Sequence, residues 1–166
     1  MSLDKNVMNK NPGDPIKSAD WNALASETVR LNQSIGFHML QAKAWSNATT
    51  STDWTPVINE TVKFDTPTSL LLIGQGHGSS DTQQISLRVA IRVNDTILAS
   101  DPNGPWGAAF LYFANTVNNW VPLTAMAGCP VPQGTSKVEL LIRREGTTGT
   151  VKMNAPTLWL LQLGTS

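Results

Sequence analysis

The chain has 166 residues, of which 40% are hydrophobic and only 14% charged, with a formal net charge of zero. That balance excludes a disordered chain, which carries fewer apolar residues and more net charge. It also excludes the positive field that drives nucleic-acid binding, and no run approaches the ~18 apolar residues of a membrane-spanning helix.

Residues 1–14 are polar and predict an extended lead. A helix is expected over 18–35. Ser18 can cap its N-terminus, and Asp20 sits in the first turn, where the helix dipole favours a carboxylate. Gly36 suits the C-terminal position that needs φ > 0. Trp21, Leu24, Thr28, Leu31 and Ile35 are spaced 3, 4, 3, 4, the seam of a coiled coil. About two heptads of seam are too short to stand alone in water. The helix must therefore pack on its own domain or on copies of itself, and the narrow seam favours copies.

Beyond Phe37–Ala42 the pattern changes to short β-branched and apolar runs between Gly, Pro, Asn and Asp. Strands are expected at 43–48, 52–58, 61–64, 69–76, 84–93, 96–100, 110–116, 121–128, 137–144, 150–153 and 157–163. Asn94-Asp95 marks a tight hairpin, as does Glu145–Gly149. Dense turns with no helical pattern between them argue a sandwich or barrel. Ile85, Leu87, Val89, Ile91 and Val93 alternate with Ser86, Arg88, Ala90 and Arg92, so this strand should have one core face and one solvated face. Leu70–Ile73, Phe110–Phe113 and Leu158–Leu161 are apolar throughout and should bury both faces. A single sandwich leaves one face of each sheet in water, so an oligomer interface is expected to include Leu158, Leu160 and Tyr112 beside the helix seam.

Chemistry is sparse. One cysteine, Cys129, precludes an intrachain disulfide and reads as a small semi-buried residue. His38 and His77 are the two histidines, and no catalytic or metal-binding signature surrounds them. Neither a metal nor a cofactor is expected. Gly74, Gly76 and Gly78 recur at period two, leaving room for a bulky neighbour such as Trp159 or another subunit. The loop Asp101-Pro102-Asn103-Gly104-Pro105-Trp106 and the segment Asn118-Asn119-Trp120 combine an aromatic ring with amides or a carboxylate. Such rigid loops can stack a sugar ring and bond its hydroxyls. Asp101, Asn103, Trp106, Asn118, Asn119 and Trp120 are the candidate ligand-binding residues.

The string Gly13-Asp14-Pro15-Ile16-Lys17-Ser18-Ala19-Asp20-Trp21-Asn22-Ala23-Leu24, continuing to Leu31, resembles a short helical module of phage tail-appendage and bacterial surface proteins. That resemblance implies a helix near a threefold axis, followed by a β-rich domain. The remainder resembles in architecture the jelly-roll trimers of tumour-necrosis-factor-like and C1q-like domains. The expectation is therefore a mainly β, antiparallel jelly-roll β-sandwich at 41–166, preceded at 1–40 by a lead and oligomerisation helix. It would act as a homotrimeric, non-catalytic head binding a cell-surface glycan or receptor, in a virion or at a cell surface. No secretory leader is visible in the chain. The alternatives are a purely structural virion connector and a polysaccharide hydrolase with an inter-subunit site.

Overall fold

The computed structural model describes residues 21, 22, 25, 26, 36–98, 109–115 and 117–163. Trp21, Asn22, Ala25 and Ser26 are helical, and Trp21 is exposed. Leu24, Thr28, Leu31 and Ile35 lie outside the described residues.

The described residues form ten strands: β1 (Phe37–Gln41), β2 (Ser46–Thr49), β3 (Thr55–Phe64), β4 (Thr68–Ser80), β5 (Ile85–Val93), β6 (Thr96–Leu98), β7 (Ala109–Phe113), β8 (Val121–Val131), β9 (Gly134–Glu145) and β10 (Val151–Gln162). Every pairing is antiparallel. One sheet runs β1-β10-β4-β8, with β2 beside β10; the other runs β3-β9-β5-β6, with β7 beside β5. β1 and β2 share successive halves of β10, and β6 and β7 share successive halves of β5. Counted as two interrupted strands, they reduce the order to 1-8-3-6 facing 2-7-4-5. Two Greek keys wound together give this order. The domain is a jelly roll.

Alternation decides what each sheet buries. Leu70 and Leu72 of β4, Leu158 and Leu160 of β10, and Leu140 and Ile142 of β9 project between the sheets and form the core. Leu158 and Leu160 were expected at an oligomer interface. They are instead 0% exposed within the single chain. The opposite parity, Trp159 and Leu161, points outwards and is half-buried.

β5 departs from expectation in the other direction. Its polar face is largely covered: Ser86 and Arg88 are buried and Arg92 is half-buried. A central strand is covered laterally by its neighbours' side chains. Arg88 pairs with Glu145 of β9 and lies 4.5 Å over the Phe110 ring of β7. Arg92 pairs with fully buried Glu139, which also meets Lys137 at 2.9 Å.

The three glycines of β4 face this core. A Cβ on Gly74 would meet Leu140 at 2.5 Å, and one on Gly78 would meet Leu111 at 2.6 Å and Leu87 at 2.7 Å. At Gly76 it would meet Met153 at 2.6 Å and the Asn154 carbonyl oxygen at 3.0 Å. The bulky neighbours are thus the chain's own core residues, not Trp159 or another subunit. Gly76→Val is expected to destabilise by about 1–3 kcal/mol, because overpacking here must move backbone. Chemical denaturation that shows an unchanged midpoint contradicts this packing.

Two expected breaks are absent. Residues 55–64 form one strand, with a register shift after Pro56. Residues 151–162 form another, carried past Asn154–Thr157 by an irregularity at which Ala155 takes φ 47°. Val93 pairs with Thr96 around Asn94-Asp95 as a two-residue hairpin. Gly146–Thr150, by contrast, crosses from one sheet to the other.

Candidate functional site

The strand directions give the domain two distinct ends. At the base lie Gly36, Leu163 and the turns 65–67, 94–95 and 132–133. There the Gln162 amide donates to the Gly36 carbonyl and the Leu163 amide to that of Ser69, both at 2.8 Å. At the top lie the connections 50–54, 81–84, 114–120 and 146–150. β10 spans nearly the full height, roughly 35–40 Å at ~3.3 Å per residue. The chain enters the β-domain at the base, so the top loops are the distal ones.

The top connections are tied to each other. The Asn118 amide donates to the Ser80 carbonyl at 2.6 Å, and Gln83 Nε2 donates to the Asn115 carbonyl at 3.0 Å. Asp81 Oδ1 accepts from the Thr150 amide at 2.7 Å and from Thr82 Oγ1 at 2.9 Å. Hydrogen bonding from Thr150 holds the Asp81 carboxyl below its ordinary range. Asn118 takes φ 56°, a left-handed conformation that asparagine tolerates. This turn leaves Asn118, Asn119 and Trp120 exposed at the distal end, with Trp120 at 42%.

Asp101, Asn103 and Trp106 lie outside the described residues. Their segment leaves β6 after Leu98, which pairs with Ile91, and rejoins β7 at Ala109, which pairs with Val89. The described residues that flank that segment, Leu98 and Ala109, lie midway along the sheet edge, and Trp120 stands at the top.

The outward face of the β1-β10-β4-β8 sheet carries an exposed apolar surface. The ladder places Met39, Trp159, Ile73 and Met126 in one row. The next row holds Phe37, Leu161, Leu71 and Gly128. Phe37 packs on Trp159 with ring centroids 5.1 Å apart. Phe37 remains 57% exposed and Met126 59%. Tyr112, 57% exposed, sits instead on the outer side of the other sheet, on β7 beside Ser86. The sequence singled out Tyr112, but it missed Phe37 and Met39, because no strand was expected before residue 43. Their period-two alternation with His38 and Leu40 is the signal that marks them.

Two acids among the described residues are held in ion pairs. Arg92 and Lys137 hold the Glu139 carboxyl below its ordinary range, and Glu145 is paired with Arg88. A general acid needs the opposite shift. His38 pairs with Leu160 and His77 with Asn154, six residues apart along β10. Burial pushes the Cys129 thiol up, away from nucleophilic thiolate. Among the described residues no three His, Cys, Asp or Glu side chains gather closely enough to hold a metal ion.

No protein-family model matches the chain, and no curated protein matches it. Solved structures do. The VP2 subviral particle of infectious bursal disease virus aligns with a TM-score of 0.52 and 12% identity, over 76% of this chain and 32% of VP2. The chain thus spans about a third of that protein. The likeness concerns the fold. Eiger TNF from S. frugiperda aligns at a TM-score of 0.46 and 9% identity, over 80% of this chain and 95% of that one. A CBM36 domain of a xylanase from the hindgut metagenome of Trinervitermes trinervoides aligns at 0.43 and 12%, over 75% and 96%.

Proposed function

We propose that the chain is a non-catalytic binding head that assembles as a homotrimer. In this reading the segment before β1 brings three chains together, and the jelly roll, which begins with β1 at Phe37 and not at residue 41, is the head of a phage tail appendage or bacterial surface protein. The observation that carries it is the exposed apolar face around Trp159, Phe37 and Met126. A contiguous patch of this kind on a folded domain marks an interaction surface.

A second apolar surface supports a ring over a twofold pair. Phe110 and Tyr112 lie on β7, at the sandwich edge that also carries β8. A twofold contact matches one patch with itself and leaves the other in water. A head-to-tail contact places the β7–β8 edge of one copy against the β10 face of the next and covers both, and it closes into a ring when the rotation permits. The base would then face the N-terminal helices, and the distal Asn118, Asn119 and Trp120 would meet a cell-surface glycan or receptor. Light scattering of the intact chain is expected to give three chain masses; a monomer at micromolar concentration overturns the reading.

The fold shared with VP2 favours a second reading, a structural virion protein with no free ligand. Binding to host-cell glycans separates the two. In the first reading Trp120→Ala removes that binding while the trimer persists; in the second there is no binding to remove.

A further inference from the structure

A lateral groove lies between the edges of the two sheets, away from the top loops. It has a volume of about 290 Å³ and is walled on one side by residues 41–44 and Asn47, and on the other by residues 56–60 of β3. On the 41–47 side it adjoins the irregularity in β10. There β1 hands over to β2, with the Ala42 amide donating to the Pro156 carbonyl at 3.1 Å and the Ala155 amide to the Trp45 carbonyl at 2.7 Å. Residues 43–45 arch outwards, and Asn47 Nδ2 closes the arch on the Ala44 carbonyl at 3.0 Å. Bulges that re-aim a chain, and non-glycine residues at positive φ, concentrate at binding sites. Ala155 is such a residue.

The arch carries Trp45, 74% exposed, more so than Phe37, Met126 or Tyr112. Leaving a large side chain in water forgoes about 1.5–3 kcal/mol of burial, which a partner can recover. Gln41, Asn47 and Asn59 are among the residues that line the groove, and their side-chain amides can donate and accept. Lys43 and Glu60 add one charge of each sign, so the groove has no net charge to select an ion. An exposed aromatic side chain next in sequence to the lining residue Ala44, with three amide residues and balanced charge in the lining, matches a ligand that is apolar on ring faces, rich in hydroxyls and uncharged. We infer that this groove, with Trp45 at its rim, is a binding site for a neutral oligosaccharide. It sits at the sandwich edge opposite β7 and β8. It is separate from the distal loops and does not depend on them.

The test is NMR titration of the intact chain with three probes: unbranched hexasaccharides of glucose, galactose and N-acetylglucosamine. At least one is expected to shift the Trp45 indole and the Asn47 and Asn59 side-chain amides, with a Kd of about 1 mM or tighter. Trp45→Ala is expected to weaken that binding about tenfold or more, as loss of a central aromatic anchor does. Asn59→Ala is expected to weaken it less, and Thr147→Ala, at an exposed position remote from the groove, to leave it unchanged. Absence of shifts in the groove with all three probes overturns the inference. So does binding that survives Trp45→Ala at full strength, or that Thr147→Ala abolishes.

Discussion

Leu160→Asp is expected to unfold the β-domain. Leu160 is 0% exposed and lies mid-strand on β10, which bonds to β1 and β4 on its two sides. The substitution removes an aliphatic side chain from a packed core, worth about 2–5 kcal/mol. It also places a carboxylate where no cation pairs with it, at an effective penalty of several kcal/mol. Together these approach the ~5–15 kcal/mol by which a whole domain is stable. Circular dichroism should show loss of the cooperative melt. A native-like transition within a few degrees of the parent's is incompatible with Leu160 lying between the sheets.

The double substitution Met39→Asp and Met126→Asp is expected to do the reverse, sparing the fold and dissociating the trimer. Both side chains point outwards from the β1-β10-β4-β8 sheet and are exposed in the single chain, so charges there stay hydrated in a monomer. In the ring each copy would carry two unpaired carboxylates into an apolar contact, costing several kcal/mol for each one desolvated. Light scattering is expected to fall from three chain masses to one, with the melt still cooperative. A trimer that persists places the interface elsewhere.

The contrast between these variants shows where sequence reasoning stops. The apolar run Leu158–Leu161 announces a strand with two greasy faces, but its parity is set by which face the other sheet covers. Leu158 and Leu160 went inwards. Where one parity is polar, as in β5, the inward set is legible, yet burial of the outward set is not. Arg88 is hidden by partners from β7 and β9, remote in sequence. Asn94-Asp95 was legible because a two-residue turn is a local event. Asn154-Ala155-Pro156 read as a break because those residues usually end strands, and the pairing with β4 carried the strand through. The lateral groove had no local signal: Lys43 and Asn59 come together only when the edges of the two sheets meet.

The separation of base from top also bears on engineering. The connections 50–54, 81–84, 114–120 and 146–150 join strand ends at one pole, while both ends of the described β-domain, Gly36 and Leu163, leave from the other. A foreign peptide spliced between Thr147 and Thr148, both exposed, would be displayed at the pole farthest from any fusion partner. The domain thus has the layout of a display scaffold, with its cargo and its tether at opposite extremes.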